Sequence, residues 1–561
     1  MSRPETRPRI LRDLAENRES GKTLAPSGAP PSGKGRLGKL GPVLAGSAAG
    51  LFVFVLYLRT LAPTVLYYAD PNMLDAVMLQ MQVAVLGITH PTGYPTYLTL
   101  SHLFTYLPVG DVAYRVNLAS AAYGALAVGV VFGAGYLLSR RVVAAAVAAV
   151  AFGLGGAIWS QAVIAEVYTM NALLISLTLV SLLLWRDRGR DRYLLLAAFL
   201  AGLCLTHHLT SGLLLPASLL FVGLVNWRRL LEWRLMLKCA GLFFLGLTPY
   251  LYLPLRAWMG APMNANNPDN FERFWYVVSG GNLTGSFFAF GPAELPGRLL
   301  LYWGHLTDNL NPILIMVALT GAVLMIARDR PVGLLLGFLY LGWTFYSIEN
   351  AIPDINLYFI PTYLILCLWT AVGLGALLTE AESLTSRLPT SARRAALGLL
   401  CVALLVVPLV GVRETSAAND MSEANLGREQ VDAVAEKAAP NATVLHHRSS
   451  MWYLVLVERR RQDLTLVDPF LHNREVEYAD LVWPADIDLA TTDRRYGTDD
   501  FSGVTSARIA AKKGPVYLLT SSYIPEPERY EDFGFRVVEV EENILYELVP
   551  PGREPFTEGG S

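Results

Sequence analysis

Residues 67–100 read YYADPNMLDAVMLQMQVAVLGITHPTGYPTYLTL. Over 75–86 polar and apolar residues mix at helical spacing, with Leu79, Val83 and Leu86 on one face. That pattern predicts an amphipathic helix lying in a membrane interface. Two prolines and a glycine in His90-Pro91-Thr92-Gly93-Tyr94-Pro95 then force a non-helical turn. A rigid turn behind an interfacial helix holds Asp75 and His90 at the membrane surface. Asp75 also reads as a helix N-cap, since its carboxylate accepts bonds from free N–H groups.

The rest of the chain points to a membrane as well. Hydrophobic residues make up 53% and charged residues 16%, where a soluble protein carries about a quarter charged. Mean hydropathy is +0.38. The net charge of -2 says nothing about partners, and no segment carries a nucleic-acid signal. Cys204, Cys239, Cys367 and Cys401 sit in apolar runs without CxxC spacing, so they read as packing rather than metal ligands. Residues 1–40 are polar and basic and read as a disordered cytoplasmic tail. The apolar run at 41–61 is long enough to be an uncleaved first span.

Lysine and arginine concentrate in cytoplasmic loops. Beyond the tail, basic clusters occur at Arg140 and Arg141, at Arg186 to Arg192, at Arg228 to Lys238, at Arg328 and Arg330, and at Arg387 to Arg394. If all of them share one side, each interval holds a helical hairpin, and the run at 395–412 crosses once more. The expected fold is a polytopic α-helical membrane protein of about eleven spans. An odd number sends the C-terminal segment outside. The outer apices then hold Asp70, Asp75 and His90; Glu166; His207 and His208; the aromatic segment 256–306; and Glu349 with Asp354. Ionisable groups kept at a membrane commonly line a cavity, so a shared polar cavity is expected on that side.

The run LGITHPTGYPTYLTLSHLFTYLPVGDVAYRVNLASA resembles the signature of a family of membrane proteins with the GT-C glycosyltransferase fold. That family includes the eukaryotic endoplasmic-reticulum O-mannosyltransferase of plexin-type receptor domains. Further matches are Trp159-Ser160 with Glu166-Val167-Tyr168, the pair His207-His208, YLYLPLRA ending at Arg256, and DINLYFIP from Asp354. The resemblance covers roughly residues 51–370 and implies sugar transfer from a polyprenyl-phosphate donor on the outer or luminal face. Asp75 falls where the family has the aspartate of its acidic motif. The family's glutamate three residues on is Met78 here.

On this reading Asp75 is the catalytic base, with Asp70 second, because a positioned carboxylate removes the proton of a poorly nucleophilic hydroxyl. Arg256, then Arg115 beside Asn117, would hold the leaving phosphate in two-pronged fashion. His90, Tyr94, Glu166, Tyr168, His207, His208 and Asp354 would orient substrate or brace the site. Adjacent histidines on a helix point to different faces, so His207-His208 is not read as a metal site. The lipid-linked sugar is itself a substrate, and no separate cofactor is implied. Partners would be membrane lipid and a protein or glycan acceptor.

Residues 414–561 turn soluble in composition. ATVLHH, LTLVDPF, GPVYLLT and FRVVEVEENILYELV read as strands and MWYLVLVERRRQ as a helix, giving a small α/β extracytoplasmic domain. It has no phosphate-binding glycine motif. The membrane domain is thus 41–413, with N-terminus cytoplasmic, in the plasma membrane. A transporter or flippase would predict two related halves with matching broken helices, which the sequence does not display. A catalytically inactive scaffold is the third reading, and Met78 is its motive.

Overall fold

The computed structural model describes residues 36–67, 74–447, 449–468, 500–520 and 526–556. Asp70 and the basic tail up to residue 35 lie outside them. The membrane domain comprises α1 (Arg36–Arg59), α2 (Leu74–Val85), α3 (Pro95–His102), α4 (Val112–Ser139), α5 (Val142–Gly153), α6 (Gly156–Ala162), α7 (Tyr168–Arg188), α8 (Asp191–Leu205) and α9 (Leu214–Asn226). It continues through α10 (Trp233–Gly246), α11 (Tyr252–Trp258), α12 (Phe271–Val278), α13 (Leu295–Asn309), α14 (Pro312–Arg328), α15 (Arg330–Ile348), α16 (Ile360–Leu384) and α17 (Thr390–Val406).

Eight helices are long and apolar enough to cross a membrane, and two bent pairs bring the number to ten. The pairs are α5 with α6, bent by 64°, and α13 with α14, bent by 110°. Helix α8, 15 residues long, packs between α7 and α10, and the described residues thus hold eight to ten spans where the loop charges call for about eleven. The chain is a multi-pass membrane protein. Its last apolar helix runs on to Ala418.

The two ends of the bundle differ in charge. At one end, ion pairs tie the loops together. Arg140 and Arg186 both reach Asp187, Arg186 also reaches Asp329, and Arg229 lies 3.4 Å from Asp191. Arg141 forms a fork onto Glu382, with N–O distances of 2.6 and 2.7 Å. Five of the basic clusters thus meet at one end, as the hairpin reading requires. Helix α7 runs from Tyr168 at the opposite end to Arg186 at this one, and its 21 residues span about 31 Å.

Glycines set the tightest crossings. A Cβ on Gly202 would sit 2.1 Å from the Phe243 carbonyl oxygen, and one on Gly246 2.3 Å from that of Phe199, so α8 and α10 touch backbone to backbone. Gly321 and Gly373 do the same for α14 and α16, at 1.9 Å from Trp369 O and 2.4 Å from Val317 O. In lipid, where apolar burial gives little drive, such close approach supplies the packing.

Helix α2 forms where expected but does not lie in an interface. Val77 to Val83 are all buried. The residues that make it look amphipathic are bonded inward. Gln80 accepts from Leu66 N at 2.9 Å and donates to Thr64 O at 3.2 Å and Asn117 Oδ1 at 2.9 Å. Gln82 donates to Ile88 O at 3.2 Å.

The soluble domain holds a five-stranded sheet in the order β2-β1-β3-β5-β4, with β1 (Thr443–Leu445), β2 (Thr465–Val467), β3 (Val516–Leu519), β4 (Arg536–Glu541) and β5 (Leu545–Val549). The first three are parallel, and β5 is antiparallel to β3 and β4. Alternation decides the faces. Val444, Tyr517 and Leu519 face α18 (Leu426–Lys437) and join the membrane domain's core, while Leu445 and Leu518 pack with α19 (Asp500–Ala510).

Gly321→Val forces α14 off α16 against backbone that cannot yield, a cost of ~3 kcal/mol or more at the upper end of overpacking effects. Its folded yield after detergent extraction, read by size-exclusion chromatography, should fall severalfold. Gly337→Val on α15 adds a side chain where nothing lies within 4 Å and should leave the yield unchanged.

Candidate functional site

The site lies at the end of the bundle opposite the arginines, around the turn after α2. Gly93 N donates to His90 O at 2.7 Å. Gly93 has φ +81 and Tyr94 φ +38, the left-handed region that glycine enters freely. A Cβ at Gly93 would meet Leu253 at 2.9 Å and Val277 at 3.1 Å, so α11 and α12 press on the turn. Pro95 then starts α3, where its missing N–H costs nothing.

Asp75 stands in the first turn of α2 with its side chain 44% exposed, its Oδ1 3.6 Å from His90 Nδ1. Thr89 Oγ1 lies 3.1 Å from the same nitrogen. Asp75 is therefore an accessible carboxylate beside an imidazole. The Tyr94 ring packs against His90 at 5.3 Å and against His207 and His208 at 6.3 Å each.

Behind them are two buried carboxyls. Glu166 lies in the α6–α7 loop and is held by Ser120, whose hydroxyl accepts from Glu166 N at 3.0 Å and donates to Glu166 O at 3.1 Å. Burial pushes the Glu166 carboxyl well above the usual carboxylate range; the charges of Asp75 and Asp354 add to this, and the Val167 N–H opposes it. Asp354 accepts from Tyr168 Oη at 3.2 Å. Burial and then Asp75 raise its pKa too, against hydrogen bonds that lower it. Both shifts run toward the protonated form, in which a carboxyl donates a hydrogen bond as well as accepting one.

The histidine pair splits. A carbonyl only accepts, so the 2.7 Å contact of His207 Nε2 with Val167 O places the proton on Nε2. His208 Nδ1 accepts from Thr210 N at 3.4 Å, and its ring faces Tyr168 at 5.7 Å and Tyr358 at 5.4 Å. Burial lowers His207 to about 4 and His208 to about 3, so both stay neutral. The two sit in a turn rather than on a helix, yet their partners still diverge. Among the described residues no three His, Cys, Asp or Glu side chains gather as a metal site.

Asp75, His90, Tyr94, Glu166, Tyr168, His207, His208 and Asp354 thus share one site. Tyr358 belongs with them, and the sequence reading did not single it out. Its signal was its place one helical turn after Asp354 in DINLYFIP. Other candidates lie elsewhere. Arg256 donates through Nε to Leu86 O at 2.7 Å and through Nη2 to Val85 O at 3.2 Å. It caps the far end of α2, ~16 Å along the helix from Asp75. Arg115 is filled by the carbonyls of Val109, Thr105 and Gly110 at 2.7–2.9 Å. Asn117 braces the chain by donating to Ala62 O at 3.0 Å. Met78 is buried.

The histidines fix a pH dependence. Their pKa values in the fold lie below the ordinary 6.5, so the unfolded chain takes up protons that the fold refuses. Their stabilisation is complete above pH 6.5 and is lost as pH falls toward 4, by ~1.4 kcal/mol per unit for each ring. Glu166 and Asp354, raised in the fold, act in the opposite sense and lose stabilisation as pH rises. Because the carboxyls oppose the histidines, the difference between two proteins isolates the ring: as pH falls from 6.5 to 4.5 the thermal midpoint of His207→Gln in detergent should rise relative to that of the unsubstituted protein. Equal slopes in the two proteins would contradict this.

Residues 75–230 match the family described as Protein O-mannosyl-transferase TMEM260 N-terminal domain, a stretch that begins at Asp75 and takes in the HPTGYP turn, Glu166 and both histidines. The mouse protein O-mannosyl-transferase TMEM260 is 30% identical over 181 residues, which are 31% of this chain and 26% of that protein. The Dictyostelium discoideum protein O-mannosyl-transferase tmem260 is 25% identical over 198 residues, 32% of this chain and 24% of its own length. The chain thus spans about a quarter of the length of these relatives. Among solved structures, ArnT from Cupriavidus metallidurans bound to undecaprenyl phosphate superposes with a TM-score of 0.56 at 14% identity, covering 91% of this chain and 98% of that one. Its apo form gives 0.54 at 15% identity, with the same coverage. The expected GT-C membrane fold is therefore present over nearly the whole of both chains.

Proposed function

We propose that this chain is a membrane glycosyltransferase that moves a sugar from a polyprenyl-phosphate donor to a hydroxyl of a protein or cell-envelope glycan. The observation that carries the reading is the accessible Asp75 carboxylate, 3.6 Å from His90, at the mouth of a cluster of tyrosines, neutral histidines and the buried carboxyls of Glu166 and Asp354. Asp75 takes the acceptor proton, with His90 orienting it. Glu166, Asp354, Tyr168 and His208 bond the sugar's hydroxyls, and the faces of Tyr94 and Tyr358 pack on the ring. The TMEM260-type match over this segment and the fold shared with an undecaprenyl-phosphate-binding transferase support the reading.

The donor's tail must stay in hydrocarbon, so its sugar is met at the membrane surface. Helix α12 suits that border. It buries Val277 against the HPTGYP turn and exposes Phe271 and Trp275, aromatic residues of the kind that settle at lipid interfaces. Arg256 positions α2 in this scheme rather than holding the phosphate. The lipid-linked sugar is the only small molecule required.

In membranes supplied with a radiolabelled polyprenyl-phosphate sugar, Asp75→Asn should lower transfer by ~10²–10⁴-fold, the usual worth of a positioned general base. Transfer that survives the substitution would remove Asp75 from the chemistry. Lipid flipping without transfer would overturn the function.

In this proposal the arginine end faces the cytosol, as the positive-inside rule favours, and the soluble domain lies outside, with the plasma membrane as the membrane. An impermeant thiol reagent applied to whole cells should label Tyr106→Cys, on a side chain that is 74% exposed, and not Arg190→Cys. The reverse pattern would invert the topology.

A further inference from the structure

We propose that Arg428 is a positioning residue through which the soluble domain sets the pose of the Asp75 helix; this rests on the glycosyl-transfer reading above. Arg428 opens α18, and all three guanidinium nitrogens are used. Nη1 donates to Glu458 Oε1 at 2.6 Å within its own domain. Nη2 donates to Asp111 Oδ2 at 2.9 Å, and Nε to Thr64 Oγ1 at 3.2 Å, both in the membrane domain.

Both distant partners lead to the site. Asp111 caps α4 by accepting from Tyr114 N at 2.8 Å, and α4 carries the Ser120 that holds Glu166. Thr64 offers its carbonyl to Gln80 of α2, five residues from Asp75, and that glutamine also takes Leu66 N. One guanidinium therefore spans the segment beneath α2 and the start of α4. A planar fork fixes direction as well as distance, which an ammonium cannot do.

The contact around it is close and apolar at its edge. A Cβ on Gly427 would fall 2.4 Å from Val65 O, so the start of α18 rests directly on the segment that Gln80 grips. Tyr453 accepts from Ala113 N at 3.2 Å, and Met421 N donates to Thr60 O at 3.0 Å. These hold the soluble domain in place whether or not Arg428 is present. Loss of the arginine should loosen α2 without releasing the domain.

The test compares full-length protein, Arg428→Gln, Arg428→Lys and Thr64→Val in lipid nanodiscs. Hydrogen exchange is read on the amides of α2, a measurement that needs no turnover. Arg428→Gln should speed exchange there at least tenfold while β1, β3 and β5 keep their protection. Thr64→Val, which removes the hydroxyl that accepts from Arg428 Nε and donates to Asp111 Oδ2 but leaves the Arg428–Asp111 pair, should move it the same way by less. In transfer assays kcat should fall at least tenfold in Arg428→Gln, with the donor KM within threefold of wild type and partial recovery in Arg428→Lys. Unchanged exchange in α2 would overturn the proposal, as would equal loss of protection throughout the soluble domain. Failure of transfer in wild type would instead count against the glycosyltransferase reading, leaving the exchange result to decide this one.

Discussion

A charged group at the centre of a bilayer costs several kcal/mol unless it is paired or hydrated, and that constraint sorts this molecule into two ends. Arginines occupy one end and satisfy one another's carboxylate partners across successive loops, from Asp187 to Glu382. At the other end Arg115 and Arg256 bond chain carbonyls and Arg428 pairs with Asp111 and Glu458, and among the described residues no arginine forms a salt bridge with Asp75, Glu166 or Asp354. These three carboxyls respond differently. Asp75 stays near solvent beside His90, whereas burial shifts Glu166 and Asp354 toward their protonated forms. The same physics that makes an ion pair worthwhile at one end makes a neutral hydrogen-bonding pocket at the other.

Neutrality has a chemical use. A sugar offers several hydroxyls, each donor and acceptor. Carboxyls shifted toward the protonated form, tyrosines and neutral imidazoles match both roles, where a field of full charges would have to be desolvated on binding. In the proposed function the accessible Asp75 carboxylate is the base beside them. Separation of an exposed base from buried acids is how one environment runs two protonation states at the same pH.

The sorting by charge is also what made the fold legible. Arginine clusters and apolar run lengths carry topology without any need for contacts, so the spans, the hairpins and the soluble α/β domain could be read from composition and periodicity. Eight of the candidate residues come together in the structure because they stand at the apices that topology defines. Side-chain destinations were less legible. Gln80 and Gln82 lent α2 a polar face that looks solvated, but a glutamine bonds backbone inside a fold as well as water outside it. Arg256 and Arg115 have the charge for a phosphate, yet each serves chain carbonyls nearby. An arginine's sequence position gives its sign and not its partner. Tyr358 was hidden for the converse reason, since a tyrosine beside apolar residues reads as packing until its neighbours His208 and Tyr168 are seen.

Met78 brings these points together. A second carboxylate three residues from Asp75 would lie on the adjoining turn of α2, on a helix whose middle is buried from Val77 to Val83. Here that position takes a thioether, and Asp75 finds its acidic company in Glu166 and Asp354, which arrive from loops 91 and 279 residues further along the chain. Carboxyls supplied by separate elements depend on how those elements are docked, whereas two on one helix keep their spacing whatever the helix does. The site is consequently only as well formed as the seating of α2 against α4 and the later loops. That seating rests on buried amides and on a guanidinium lent by the soluble domain, groups whose bonds are directional and hold one geometry.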